Sequence, residues 1–484
     1  MNGDAARVPC PLRAAARTSP DAPAIVGAGG TLTYDELDRR VTKVAENLEE
    51  LGFGAGGRVA LYLAKDERYI VLLPALIRAG CVACPVSTRT PPPGVATLLQ
   101  KAACRALISD EDILEATDAG ARKLHPETLL GDDPARCDRP RYSEPFHLAL
   151  DRPATVVFTS GSTSVPKGAL HTFGNHYLSA RGSNANIALA PGDRWLHSLP
   201  LYHVGGLSIV FRCLLAGAAV ALPEPGAPLG EAIARSGATH VSLVSTQLLR
   251  LLREEALDLS GLKAILLGGG PTPAYLLEEA LSRKLPIHTS YGLTEMASQV
   301  TATPPDSSRE ELRTSGRPLP HREISVSDDG EILVKGETLF AGYVEGEAID
   351  LPLDADGWFH TGDLGEIDAG GYLRVRGRRD NLFISGGENV QPEEIEETLC
   401  RLEGVEDAAV VPIPDPEFGS RPVAFVRTVG GAVEPEDLAR ALRPILAHFK
   451  IPMAFHDWPE GIEGMKVDRA ALAERARRLH GEDK

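Results

Sequence analysis

Residues 158–168 read Phe-Thr-Ser-Gly-Ser-Thr-Ser-Val-Pro-Lys-Gly and stand directly behind an apolar run, Ala154 to Phe158. The stretch is small and hydroxyl-rich, and Lys167 is its only charge. Backbone N–H groups and hydroxyls in such a loop can close around a polyphosphate, with the lysine as counter-charge. It is not the common nucleotide loop, which places Gly before Lys and Ser or Thr after it. Here Pro166 precedes Lys167 and Gly168 follows. A plain Ser/Gly linker is the competing reading. Linkers seldom follow a buried strand directly, and they seldom contain Pro-Lys-Gly.

Working outward, apolar runs at Val59–Leu63, Ala106–Ile108, Ala154–Phe158, Ala218–Leu222, His240–Val244 and Ala264–Leu267 alternate with helical spacings. One such spacing is Tyr34, Leu37, Val41, Val44, Leu48, with Gly52 as its stop. Another runs through Tyr69, Leu72 and Leu76. This rhythm predicts an α/β fold with largely parallel sheets flanked by helices. Beyond about residue 315 short strands at Glu323–Val326, Glu331–Val334 and Tyr372–Val375, separated by Asp/Gly turns, predict an antiparallel β subdomain. From Asp380 a smaller α+β segment follows. The predicted division is residues 1–379 and 380–484, with Asp380 between them.

The chain has 484 residues, enough for more than one domain. Its net charge of −17 argues against nucleic acid and anionic membrane surfaces as partners. Apolar stretches are broken by Arg78 and Arg212, so no membrane-spanning segment is expected. No signal core is evident at the N-terminus, and the expected location is the cytoplasm. Seven cysteines are scattered; only Cys81 and Cys84 have C-x-x-C spacing, and no second pair completes a zinc site. A homo-oligomer is compatible with the sequence, which does not set the oligomeric state.

Further motifs follow in order: Leu-Leu-Gly-Gly-Gly-Pro at 266–271, Ser290-Tyr291-Gly292-Leu293-Thr294-Glu295, Gly357-Trp358-Phe359-His360-Thr361-Gly362-Asp363, Arg378, Gly386-Gly387-Glu388-Asn389, and Gly464-Met465-Lys466-Val467-Asp468-Arg469. With the 158–168 loop they resemble the adenylate-forming superfamily of acyl-CoA synthetases, luciferases and peptide-synthetase adenylation domains. The resemblance covers nearly the whole chain. The loop departs once, with Ser164 where the family usually has Gly. If that position takes a positive φ, Ser is less comfortable there. Met465 is inserted between the usual Gly and Lys.

What the resemblance implies is a reaction of ATP, Mg²⁺, a small carboxylic acid and CoA. Thr159, Ser160, Gly161, Ser162, Thr163 and Lys167 would hold phosphates. Gly268, Gly269, Gly270, Pro271, Ser290, Tyr291, Gly292 and Leu293 would surround the nucleotide, with the Tyr291 ring on adenine. Thr294 would reach the α-phosphate and Glu295 would help hold Mg²⁺, a hard cation that takes carboxylate and phosphate oxygens. Asp363 and Arg378 would hold the ribose. Lys466 would bridge the substrate carboxylate and the α-phosphate; Lys450 is the rival. Asp380 would be the hinge, and Gly386 and Gly387 would shape the CoA tunnel. For single residues blander readings stand beside these: a helix-start acid for Glu295, a turn Asp for Asp363, a tight turn for the glycine pair.

The segments Leu199–Ala216, Leu266–Ala280 and Tyr291–Gln299 are similar to 2-succinylbenzoate–CoA ligases of menaquinone synthesis. That substrate has two carboxylates, and the unreactive one needs a cation. Arg212 sits in an apolar run, where an unpaired charge is costly, so it pairs with a protein acid or awaits a ligand anion. Ser242 and Thr246 would be its polar neighbours, and His203 would gate the acid pocket. Rival readings are a ligase for a monocarboxylate, an adenylation module for a carrier protein, a luciferase-like oxidase, and a non-catalytic nucleotide-binding scaffold.

Overall fold

The computed structural model describes residues 6–111, 120–131, 146–159, 166–254, 258–270, 272–428, 434–459 and 468–481. The helix foreseen at 33–50 runs Tyr34–Glu50. Thr33 caps it by accepting from the Glu36 N–H while the Glu36 carboxylate takes the Thr33 N–H, a capping box that satisfies two end donors. Its apolar stripe (Leu37, Val41, Val44, Leu48) is fully buried.

Two large sheets carry the N-terminal part. One has eight strands, in the order Ala348–Asp350, Gly342–Glu345, Lys167–Thr172, Pro153–Thr159, Val82–Pro85, Arg58–Tyr62, Ala106–Ser109, Arg122–Leu124. The last five run parallel; the Lys167–Thr172 strand turns back antiparallel on Pro153–Thr159. The other has nine strands, parallel through Ile287–Leu293, Ala264–Leu267, His240–Leu243, Arg194–Leu196 and Ala219–Ala221, with antiparallel strands at both margins. The helix Val204–Ala216 connects the neighbouring strands Arg194–Leu196 and Ala219–Ala221 of this sheet, and ten of its residues are buried. The core of Leu, Val and Ala side chains is continuous from Cys10 to Leu266.

A four-stranded antiparallel sheet follows, Glu323–Val326, Glu331–Lys335, Phe359–Ile367 and Leu373–Arg378. It matches the expected subdomain, with one correction. Thr361-Gly362-Asp363 is not a turn; it lies within the nine-residue strand Phe359–Ile367, beside a register shift at Leu364/Gly365. The positive φ of Gly362 (72°) disguises the strand in the sequence.

From Phe383 onward the chain builds separate cores around Ile395, Leu399, Val410 and Leu442, and around Val411, Phe425 and Leu472. Gly386 and Gly387 form the turn of a short hairpin, with φ of 60° and 87° that only glycine adopts easily. This smaller unit touches the larger one where the Tyr275 hydroxyl donates to the Glu406 carbonyl (3.1 Å) and Arg253 pairs with Glu406 (3.0 Å). Cys81 and Cys84 are both fully buried, and no group of three metal-ligating side chains exists among the described residues. Nor, among them, is any helix long and apolar enough to cross a membrane.

Candidate active site

The strands on either side of the hydroxyl-rich stretch, Pro153–Thr159 and Lys167–Thr172, pair antiparallel, with Thr159 opposite Lys167. Ser160, Gly161, Ser162, Thr163 and Ser164 lie outside the described residues, as do Pro271, Met465 and Lys466. The Lys167 ammonium stands 4.9 Å from the Tyr343 ring centre. The Tyr343 hydroxyl donates to Glu295 Oε1 at 2.6 Å. Burial and that carboxylate push the Tyr343 hydroxyl pKa up, so it stays a donor. Lys167, Tyr343 and Glu295 therefore meet, although they come from three separate segments.

Thr294 and Glu295 sit on a short 3-10 turn, Thr294–Met296, at the end of the Ile287–Leu293 strand. The turn is held from below. Fully buried His171 donates from Nε2 to the Thr294 carbonyl at 2.7 Å. Burial lowers the His171 pKa to about 4, so the imidazole is neutral. Ala297 (φ 53°) and Ser298 (φ 126°) then take two successive positive-φ conformations without being glycine. Such strain persists only where packing over-determines it. It folds the chain back so that the Ser298–Ala302 strand pairs with Ile287–Leu293.

The two residues expected at the ribose, Asp363 and Arg378, are in contact with each other. Asp363 Oδ1 accepts from Arg378 at 2.9 Å, and Oδ2 accepts from the Tyr291 hydroxyl at 2.6 Å. Arg378 also reaches Asp380 at 3.5 Å. Ser290 donates to the Leu267 carbonyl (2.7 Å), which sets it against Gly268. A side chain at Gly268 would come within 3.1 Å of the Ser290 oxygen, so the glycine permits this approach. Gly269 (φ 83°) and Gly270 continue the loop, and Gly292 and Leu293 continue the facing strand.

Arg212 is 1% exposed on the helix Val204–Ala216. It makes no ion pair with a protein acid among the described residues. Its Nη2 donates to Gln299 Oε1 (2.8 Å) and Ser298 Oγ (3.2 Å), and its Cζ lies 5.1 Å from the Trp195 ring centre. Burial lowers its pKa to about 10, which leaves it charged at neutral pH. The expected polar neighbours need correction. Ser242 accepts from Trp195 Nε1 (3.1 Å) and so supports the ring near Arg212 rather than the guanidinium itself. Thr246 is half-buried on Ser245–Arg253, and the hydrogen bonds of Arg212 go to residues 298 and 299 instead. His203 is exposed at the N-cap of the Arg212 helix, edge-on to Tyr202.

In the smaller unit Lys450 is bound to both oxygens of Glu394, at 2.6 and 2.8 Å. Arg469 pairs with Glu396 and Leu472 is fully buried, so the residues after Lys466 are anchored. Tyr343, His171, Trp195, Ser298 and Gln299 were not singled out by the sequence reading. Ser298 and Gln299 lay inside a quoted motif; the others carry no local signal.

Residues 12–344 match the family described as AMP-binding enzyme, and residues 394–460 match the AMP-binding enzyme C-terminal domain. A 2-succinylbenzoate–CoA ligase of Bacillus licheniformis is 34% identical over 92% of this chain and 95% of its own length. Among solved structures, o-succinylbenzoate CoA synthetase of Bacillus subtilis in complex with the acyl-adenylate intermediate has a TM-score of 0.86 at 31% identity, covering 96% of this chain and 98% of that one. The same Bacillus subtilis enzyme in complex with ATP and magnesium ion also has a TM-score of 0.86 at 31% identity, over 96% and 100%. Together with the convergence of Lys167, Glu295, Asp363 and Arg378, these matches make the chain a member of the AMP-binding, adenylate-forming enzyme family.

Proposed function

We propose that this chain is an ATP-dependent 2-succinylbenzoate–CoA ligase, forming an acyl-adenylate and then the CoA thioester in menaquinone synthesis. The observation that carries the choice of acid is Arg212: a buried guanidinium whose side-chain partners among the described residues are neutral, suited to a substrate with a second carboxylate. The relatives named above for 2-succinylbenzoate support the same choice.

The chemistry sets two anions against each other. One carboxylate oxygen of the acid attacks the α-phosphorus, the bond to the β-phosphate breaks, and pyrophosphate leaves. Lys167 and Lys466 offset the charge, and the Thr294 hydroxyl donates toward the α-phosphate. Fixed donors of this kind act without reorganisation during the reaction. Glu295 fits a Mg²⁺ site, because it is a hard oxygen donor that forms no ion pair among the described residues and is oriented by Tyr343. Mg²⁺ would neutralise phosphate charge there. Asp363, fixed from two sides, holds the ribose. In the second step the CoA sulfur, having lost its proton, attacks the acyl carbonyl, and AMP departs with the bridging oxygen. A turn of the smaller unit about Asp380 would exchange Lys466 for the Gly386–Gly387 turn between the steps. We place the reaction in the cytoplasm, in keeping with the six unpaired, buried thiols among the described residues.

The test is a panel of aromatic diacids and monoacids with ATP, Mg²⁺ and CoA, reading AMP and the thioester. AMP formed with 2-succinylbenzoate well above the monoacids is the expected result. AMP with monoacids only would shift the reading to another acyl-CoA ligase. ADP in place of AMP would refute adenylation, and no turnover with any acid would favour a binding scaffold.

A further inference from the structure

Gln299 is 4% exposed and lies at the centre of a buried polar group. Its Oε1 accepts from Ser183 Oγ (2.7 Å) and from Arg212 (2.8 Å). Guanidinium only donates, so the amide oxygen must face it and the amide nitrogen must face away. That Nε2 is buried without a partner, and so is Arg212 Nε. Two adjacent side chains thus offer unspent donors and no unspent acceptor. Buried donors left in this state are expensive unless a ligand or water takes them.

A second cation stands on the other side of the same residue. Arg322, 7% exposed, donates from Nε to the Gln299 carbonyl (2.5 Å), and its remaining bonds go to Pro320 and Ser179. Neither Arg212 nor Arg322 has a carboxylate partner among the described residues. Two guanidiniums therefore bond to one neutral residue, Arg212 to its side-chain amide oxygen and Arg322 to its main-chain carbonyl. A glutamate at 299 has the same shape and could accept the same two hydrogen bonds, but it would neutralise Arg212 from within the protein.

We propose that Gln299 is a specificity-determining positioning residue: its neutral amide fixes the Arg212 guanidinium, leaves the positive charge for the second carboxylate of the substrate, and adds its own N–H donor there. This rests on the diacid reading given above. The residue acts through Arg212 and through the field around it, not on the reacting carboxylate.

The decisive quantity is the ratio of kcat/KM for 2-succinylbenzoate to that for a monoacid analogue that keeps the reacting carboxylate and lacks the other. In Gln299→Glu this ratio should fall about tenfold or more, the scale of one charge-assisted contact, and the fall should reside in KM for the diacid. A ratio within threefold of the parent enzyme, or an equal loss with diacid and monoacid, would overturn the proposal. Should Gln299→Glu not fold, Gln299→Met, which removes the acceptor without adding charge, should lower the ratio by about threefold or more; an unchanged ratio would again overturn it. Arg212→Gln separates the two ideas. If it leaves the diacid preference intact, the diacid reading itself fails. If it abolishes the preference while Gln299→Glu does not, only the role of Gln299 fails.

Discussion

The clusters proposed for the nucleotide and for the acid treat charge in opposite ways. At the nucleotide end the carboxylates already have donors: Asp363 from Arg378 and Tyr291, Glu295 from Tyr343. At the proposed acid end the hydrogen bonds of Arg212 and Arg322 go, among the described residues, to amide, hydroxyl and carbonyl oxygens. The first arrangement holds groups in place before ligand arrives. The second leaves Arg212 Nε and Gln299 Nε2 buried without a partner. Preorganisation and discrimination are thus assigned to different ends.

The largest expected effect tests the nucleotide end. Lys466→Ala should lower ATP–pyrophosphate exchange by about a hundredfold or more, the scale of losing one group aimed at transition-state charge. Thiolysis of supplied acyl-adenylate should survive. Loss of both half-reactions, or of neither, would point to a different lysine. Next, at the acid end, Arg212→Ala should raise KM for 2-succinylbenzoate about tenfold or more. An unchanged KM, read from initial rates at saturating ATP, would remove Arg212 from the pocket and dissolve the contrast.

Smaller effects sharpen it. Tyr291→Phe keeps the ring but deletes the donor to Asp363 Oδ2. KM for ATP should rise by a factor of about three to ten, as for one ordinary hydrogen bond, with KM for the acid unchanged. A parallel rise in both would mean the ends are not separate. Finally, His171, His176 and His197 are fully buried, with pKa values lowered by burial to about 4, well below normal, and to about 3. In the unfolded chain they would titrate near 6.5. They therefore contribute stability that is complete above that pH and declines as the pH falls from about 6.5 toward 4. Urea unfolding across this range should show a falling midpoint, with a shallower slope in His171→Gln. A flat profile would mean these rings are protonated in the fold.

Much of the site could be read in advance because its motifs are local. The 158–168 stretch, Ser290–Glu295 and Gly357–Asp363 are runs of consecutive residues, so the resemblance could be read from them directly, and the capped helix at Tyr34 announces itself by spacing. Long-range pairing was not legible. Gln299 reaches Arg212 across 87 positions and Tyr343 reaches Glu295 across 48. Nothing in an isolated Gln or Tyr signals such a partner. The Phe359–Ile367 strand was partly hidden because Gly362 imitates a turn.

The strained reversal at Ala297 and Ser298 ties the two ends together covalently: Thr294 stands before it and Gln299 just after. If Gln299 selects the acid and Thr294 meets ATP, as proposed above, an engineer retargeting this ligase could not exchange one without disturbing the other, and new selectivity and retained turnover would have to be selected for jointly.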